Sequence, residues 1–124
     1  MSERKKVLYV QTSGVETPER TYAPFILGAT AKAMDMDASI FFGIKGVTVL
    51  QKGQAEKITL PQPFGCLKDA IAQAAEAGVS FLVCEESAQM LGIDLKEGFI
   101  DGVKVVCAPT LNSLVIESDA VMSF

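Results

Sequence analysis

The sequence predicts an α/β fold, a three-layer sandwich in which a mostly parallel five-stranded sheet carries helices on both faces. Short apolar runs alternate with helical segments along the 124 residues, and strands that alternate with helices pair in parallel through right-handed crossovers. The runs are apolar at nearly every position, as in strands that are covered on both faces. No repeat, linker or low-complexity tract divides the chain, so residues 1–124 are expected to form a single domain.

The five predicted strands are short apolar runs bounded by glycine, proline or polar residues. In chain order they lie at residues 7–11, 38–42, 79–83, 103–107 and 119–124. Cys84 closes the third strand, and a helix at 85–91 follows at once and ends before Gly92. This alternation matches the flavodoxin-like plan, for which we predict the strand order 2-1-3-4-5.

The remaining predicted helices lie at residues 24–34, 67–77 and 110–117. The first of them starts at Pro24 or the next residue, because a proline in its interior would break the hydrogen-bond ladder. The N-cap pattern Thr17-Pro18 upstream is therefore not expected to start this helix. The second helix has apolar residues at amphipathic spacing and ends at Gly78. Thr110 caps the third.

Two segments leave the secondary structure open. The β-branched run at 47–50 fits a helical turn or a strand, and we favour the helical turn. The stretch from Lys52 to Pro63 is rich in turn-forming residues, so its segment at 58–60 is at most an edge strand. Residues 94–102 are predicted to form a turn-rich link between the third and fourth strands.

Composition excludes several classes of function. The chain contains no histidine, which excludes Ser-His-Asp and Cys-His catalysis and any histidine-ligated zinc or haem site. The net charge of −4 and the pI of about 4.8 argue against direct nucleic-acid binding. No apolar run approaches the roughly 20 residues of a membrane span, so no membrane association is expected.

Cysteine usage and hydropathy predict location and assembly. The chain has three cysteines, an odd number, and no signal-like apolar segment after its charged start. This pattern predicts a reducing, cytoplasmic location with free thiols. The hydrophobic fraction of 49% and the mean hydropathy of +0.32 are high for a small monomer. We therefore expect a homo-oligomer that buries apolar surface between its subunits.

Cys84 is the principal candidate for a functional residue, because it lies between a buried strand and a helix start. In a parallel sheet that turn lies at the carboxyl edge, where ligands collect, and the positive end of the helix favours a thiolate. Of the three thiols, Cys84 is expected to combine exposure with this position. Glu85 and Glu86 oppose the thiolate with negative charge. The alternative is that Cys84 packs as a small buried hydrophobic residue.

The two other thiols are secondary candidates. Cys107 also ends a strand, and it lies near Cys84 if the third and fourth strands are neighbours. Such a pair could form a disulfide or bind a soft metal, although core packing of Cys107 is the favoured interpretation. Cys66 stands at a helix start, where a thiolate would be favoured, but we favour a half-buried position in the cap region.

Four more residues are candidates for supporting roles or for ligand binding. The loop that contains Ser13 and Gly14 follows the first strand and could bind an anion through its backbone amides, although an ordinary turn is favoured. Lys45 follows the second strand and could stabilise a thiolate or an anion at the same edge, although most such lysines are only solvated. Ser87, in the helix after Cys84, completes the set.

Four segments, in the right order, resemble a known family. They are residues 7–10 with the loop that follows, residues 40–47, Cys84 with residues 91–93, and residues 118–124. Together they resemble the DsrE/DsrF-like family of sulfur-relay proteins over nearly the whole chain. The resemblance implies a flavodoxin-like subunit, assembly into trimers or hexamers, and a persulfide held on the cysteine at the position of Cys84.

The resemblance predicts a sulfur carrier or a sulfurtransferase component that works between sulfur donor and acceptor proteins, with Cys84 as its nucleophile. A thiolate that attacks a sulfane sulfur suffices for this chemistry, so neither a metal nor an organic cofactor is expected. The alternative is a non-catalytic regulatory module of the same fold that binds a small ligand or an anion near Ser13, Gly14 and Lys45. The family's tRNA-thiolation carrier has an Arg-Arg pair directly before the glycine, where this chain has Met90-Leu91.

Overall fold

The computed structural model describes residues 4–124 and contains a parallel sheet, a small antiparallel pair and four α-helices. In chain order the elements are β1 (Lys6–Gln11), α1 (Ala23–Ala33), β2 (Asp37–Phe42), β3 (Thr59–Leu60), β4 (Gly65–Cys66), α2 (Leu67–Ala77), β5 (Ser80–Cys84), α3 (Glu85–Met90), β6 (Val103–Val106), α4 (Thr110–Glu117) and β7 (Ala120–Ser123). Strands β3 and β4 form a separate two-stranded sheet. All strands of the main sheet are parallel.

The main sheet has the order β6-β5-β2-β1-β7. Its register is continuous at the carboxyl edge, where Gln11 lies beside Phe42 and Phe42 lies beside Val83. One residue further along, Cys84 lies beside Val106. The turns that follow β1, β2, β5 and β6 therefore meet along one edge of the sheet.

The predicted strand order 2-1-3-4-5 is wrong. It placed β2 at the edge of the sheet, whereas β2 lies in the centre, between β1 and β5. Burial explains the central position, because Ile40, Phe41 and Phe42 are 0%, 2% and 0% exposed. A strand with large apolar side chains on both faces is stabilised in the interior of a sheet that is covered on both sides.

Each face of the sheet carries its own apolar cluster. On one face, Phe25 from α1 packs against Phe42 and Phe81, with ring centroids 5.8 and 5.5 Å apart, and α2 packs beside α1. On the other face, α4 covers a cluster of strand residues that includes Cys84. The predicted α/β sandwich with a mostly parallel five-stranded sheet and helices on both faces is therefore confirmed.

The two open segments adopt the favoured conformations. Residues 47–50 belong to a 3₁₀ helix, Ile44–Leu50, and the segment at 58–60 contributes β3, outside the main sheet. The Thr17-Pro18 pattern precedes only a short 3₁₀ turn, Pro18–Arg20. Strand and helix ends differ from the prediction by at most one residue, which is within the usual variation of boundaries.

Candidate functional site

The carboxyl edge of the sheet brings several of the candidate residues into one region. Cys84 is the last residue of β5 and the N-cap of α3. Cys107 is the first residue beyond β6 and directly follows Val106, the register partner of Cys84. Lys45 lies in the 3₁₀ helix after β2, and Ser87 contacts that helix from α3. The two thiols thus follow neighbouring strands at the same edge.

Cys84 is buried, with 5% of its surface exposed. Its side chain packs in the cluster beneath α4 together with Leu8, Phe41 and Leu82. The expectation that Cys84 would be the exposed thiol is therefore wrong. The physical reason is that α4 and the turn after β6 cover this face of the sheet, so the thiol lies under other groups.

A carboxylate lies beside this thiol. Sγ of Cys84 is 4.0 Å from Oε1 of Glu86, and the same oxygen accepts the backbone N–H of Ala108 at 2.9 Å. Glu86 thus joins the turn after β5 to the turn after β6. From the sequence alone, Glu86 is expected only to add negative charge near the thiol. The signal for its role is its place in the first turn of a helix, from which a carboxylate reaches the backbone amides of a neighbouring turn.

Cys107 is exposed, so the favoured interpretation of core packing is wrong. Strand β6 is at the edge of the sheet, and Cys107 lies just beyond its end, where little packs over it. Its Sγ lies 3.4 Å from the hydroxyl oxygen of Thr110, the first residue of α4. The exposed thiol of Cys107 thus lies at the start of α4, the helix that covers the face holding Cys84.

Ser87 holds the neighbouring turn. Its side chain is buried, and its hydroxyl oxygen accepts the backbone N–H of Ile44 at 2.7 Å. Ile44 has φ of 54°, in the left-handed region, which costs an L-residue about 1–2 kcal/mol. Such strain gathers at functional sites. Lys45, the next residue, is exposed, so its ammonium group is accessible from the carboxyl edge.

The loop after β1 has its amides occupied. The N–H groups of Thr12 and Ser13 both donate to the carbonyl oxygen of Phe124, at 2.7 and 3.2 Å. The amide of Gly14 donates to the Glu16 carboxylate at 3.2 Å, and that of Val15 donates to the Thr48 hydroxyl at 3.1 Å. These four amides have acceptors within the chain, which is the arrangement of an ordinary turn.

Cys66 lies apart from the other two thiols. It is the N-cap of α2, which packs on the opposite face of the sheet from Cys84, and it is half-buried as favoured. Its Sγ lies 3.6 Å from the carbonyl oxygen of Ala55. Nearby, the hydroxyl of Tyr22 donates to the carbonyl of Gly65, and burial raises the pKa of Tyr22, so this donor stays protonated.

Two absences within residues 4–124 bear on the chemistry. In that part of the chain, no group of three or more cysteine, aspartate or glutamate side chains is placed to hold a metal ion. Nor does any helix there have the length and apolarity needed to cross a membrane. The reactive groups that the carboxyl edge does assemble are a buried thiol beneath a carboxylate and an exposed thiol on the next strand. This arrangement suits thiol-based group transfer.

Comparisons with known proteins agree with this architecture. The model of the DsrE/DsrF-like family matches residues 5–124. An uncharacterized protein of Methanocaldococcus jannaschii is 30% identical over 105 residues, which are 85% of this chain and 38% of that protein. The chain thus spans well under half the length of that relative. The crystal structure of the ychN protein from E. coli has the same fold, with a TM-score of 0.77 and 18% identity over 98% of this chain and 100% of that chain.

Proposed function

This chain belongs to the DsrE/DsrF-like family, and from that premise we propose that it carries sulfane sulfur as a persulfide on Cys84. Family membership supports a role related to sulfur relay. The persulfide proposal depends on the position of Cys84. This residue ends β5, which lies between β2 and β6 in the sheet, and its thiol is beside the carboxylate of Glu86. We place the carrier in a reducing cytoplasm, where its thiols stay free.

The loading step needs only thiol chemistry. The sulfur of Cys84 attacks the terminal sulfur of a donor persulfide, R–S–SH, and the S–S bond of the donor breaks. Cys84 then holds –S–SH, and the donor leaves as R–SH with the proton that Cys84 gave up. Atoms and electrons balance without an external oxidant. Delivery to an acceptor thiol is the same step in the opposite direction.

The burial of Cys84 suits storage of a reactive sulfur. A persulfide that projects into solvent is open to any solution thiol, whereas the cluster beneath α4 excludes solvent from Cys84. Access requires the groups that cover the thiol to move, and the Glu86 side chain, 4.0 Å from Sγ, is one of them. Glu86 is only half-buried, so its side chain has room to rotate outward when a donor or acceptor protein docks.

The alternative is a non-catalytic module that binds a small ligand or an anion near Ser13, Gly14 and Lys45. The loop amides of Ser13 and Gly14 already donate within the chain, so an anion at this edge would depend on Lys45 alone among these three residues. This leaves the alternative with weaker support than the thiol-based proposal.

The test is to map added sulfur on the protein. Reduced protein is incubated with a cysteine desulfurase, its substrate cysteine and pyridoxal phosphate, then alkylated, digested and analysed by peptide mass spectrometry. We expect a gain of one sulfur atom, ~32 Da, on the peptide that contains Cys84. The variant Cys84→Ser should lose the label, and the matched variant Cys66→Ser should keep it. A label on Cys66 would refute the assignment, and no label on any cysteine of the unchanged chain or of Cys107→Ser would favour the ligand-binding module.

We also propose that the chain forms a homo-oligomer, a trimer or a hexamer. Several large apolar side chains are exposed, among them Met34, Met90, Ile116 and Met122. Surface of this kind is usually covered by another subunit. Light scattering should give three or six times the chain mass of 13.2 kDa, and a monomer at micromolar concentration would refute the proposal.

A further inference from the structure

We propose that Cys107 discharges the persulfide on Cys84, so that the chain releases hydrosulfide and closes a Cys84–Cys107 disulfide. This inference rests on the proposed function of Cys84 and adds a second activity to it. The persulfide then has two fates: delivery of its sulfur to an acceptor protein, or reductive release of that sulfur within the chain. The residue that selects release is an exposed thiol on the next strand.

The backbone brings the two cysteines within disulfide range. Cys84 lies beside Val106 in the parallel register of β5 and β6, and Cys107 is the next residue. Neighbouring strands lie about 4.8 Å apart and consecutive residues advance about 3.4 Å, which puts the Cα atoms of the two cysteines about 6 Å apart. Disulfides join Cα atoms about 4.4–6.8 Å apart, so this backbone spacing is within the range of a disulfide.

Both side chains lie next to α4. Cys84 packs in the cluster that α4 covers through Leu111 and Leu114. Sγ of Cys107 touches the hydroxyl of Thr110, the first residue of α4. Because Cys107 is exposed, its side chain has room to turn toward Cys84 once the contact with Thr110 is released. Cys66 precedes α2 on the other face and has no such path.

Two contacts keep the thiols separate at rest. The carboxylate of Glu86 contacts both Cys84 and the amide of Ala108, the residue after Cys107. The hydroxyl of Thr110 holds the thiol of Cys107. The carboxylate therefore lies along the path between the two turns. Rotation of Glu86, which also admits a donor, opens the path for Cys107.

The reaction balances within the chain. The Cys107 sulfur attacks the inner sulfur of the Cys84 persulfide, an S–S bond forms between the two cysteines, and the outer sulfur leaves as hydrosulfide. Cys84–S–SH and Cys107–SH thus give Cys84–S–S–Cys107 and H₂S. The sulfane sulfur is reduced, the cysteine pair is oxidised, and a dithiol reductant of the thioredoxin class returns the pair to two thiols.

The experiment follows persulfide lifetime and hydrosulfide release together. The full chain, Cys107→Ser and Cys66→Ser are each loaded with glutathione persulfide, freed from the donor by gel filtration, and sampled over time. Intact mass reports the persulfide, non-reducing peptide maps report the disulfide, and a colorimetric assay reports hydrosulfide. The unchanged chain and Cys66→Ser should release one hydrosulfide for each persulfide lost and gain the Cys84–Cys107 linked peptide. The persulfide of Cys107→Ser should last about tenfold longer or more, since its internal attacking thiol is gone.

The outcomes separate this inference from the proposed function. A persulfide on Cys84 that lasts equally long with and without Cys107 would overturn the discharge reaction and leave the carrier role standing. Hydrosulfide release accompanied by a disulfide to Cys66 would also overturn it. If Cys84 takes up no sulfur even in Cys107→Ser, the proposed function fails, and the inference that depends on it fails as well.

Discussion

The hydroxyl of Ser87 accepts the backbone N–H of Ile44 at 2.7 Å. This bond ties the helix after Cys84 to the turn after β2, so two elements of the carboxyl edge share one polar contact. Ile44 holds a left-handed backbone conformation, and a buried partner helps to maintain it. The geometry around Cys84 therefore depends on residues that never touch its thiol.

Removing that hydroxyl should destabilise the fold. Ser87→Ala leaves the amide of Ile44 without its acceptor, and we expect the free energy of unfolding to fall by about 1–3 kcal/mol. Ser80→Ala serves as the control, because Ser80 is an exposed serine at the start of β5. Urea denaturation of both variants measures the difference. Equal stability of the two variants would show that the Ser87 contact contributes nothing.

Relieving the backbone strain at Ile44 should raise the free energy of unfolding. Ile44 has φ of 54° and is 62% exposed, so Ile44→Gly loses little apolar burial. Relief of about 1–2 kcal/mol exceeds the glycine entropy cost of about 0.5–1 kcal/mol, and stability should rise modestly. In α4, Ile116→Gly should lower stability instead, because that residue is helical and also exposed. A loss of stability in both variants would show that the backbone of Ile44 is not strained.

The turn after β2 should tolerate a methyl group at one glycine and not at another. A Cβ at Gly46 would overlap the carbonyl oxygen of Gln11, which is backbone and has no room to move, whereas a Cβ at Gly43 would meet only Phe41, at 3.3 Å. We expect Gly46→Ala to lower the free energy of unfolding by about 2–3 kcal/mol and Gly43→Ala by less than about 1 kcal/mol. Thermal and urea unfolding check the ranking, which equal losses would contradict.

The stability that Asp94 gives to the link before β6 should be lost in acid. Its carboxylate accepts hydrogen bonds from the backbone N–H groups of Glu97 and Lys96, at 2.8 Å each. These bonds, with that from Glu97 the larger cause, hold the pKa of Asp94 below its usual value of 3.8. A carboxylate with a lowered folded-state pKa stabilises the fold above its unfolded pKa, and this stability is lost as the pH falls through the lower value.

Asp94→Asn should therefore be less stable than the unchanged chain at neutral pH, by a difference that is constant down to about pH 5 and shrinks below about pH 4. Urea midpoints measured from pH 3 to pH 7 test the shape of this difference. A difference between the two chains that is independent of pH would contradict the carboxylate's role in the link.

The general fold follows from the sequence because its signals are local. Alternating apolar runs and helix caps place the sheet and its helices within one residue. Strand order depends on long-range packing, and the crossover rules admit several orders. The consecutive apolar residues Ile40, Phe41 and Phe42 carried a usable signal, because such a run suits a central strand more than an edge strand.

The positions of the candidate thiols were predictable from the sequence, and their exposure was not. The strand-end pattern identified Cys84 and placed Cys107 at the same edge. Whether each thiol is covered depends on where α4 lies and on β6 being an edge strand, and neither is encoded near the cysteines themselves. The contact between Glu86 and Ala108 joins residues on two different strand ends, which no local pattern contains.

The most direct test of the carrier role is cyanolysis of a chain that keeps only Cys84. The double variant Cys66→Ser with Cys107→Ser is loaded with glutathione persulfide, freed from excess donor and treated with cyanide, which takes sulfane sulfur as thiocyanate. If Cys84 carries the sulfur, we expect about one thiocyanate per chain from this variant and none from Cys84→Ser, since one thiol holds one transferable sulfur. No thiocyanate from the double variant, or the same yield from Cys84→Ser, would contradict the carrier role.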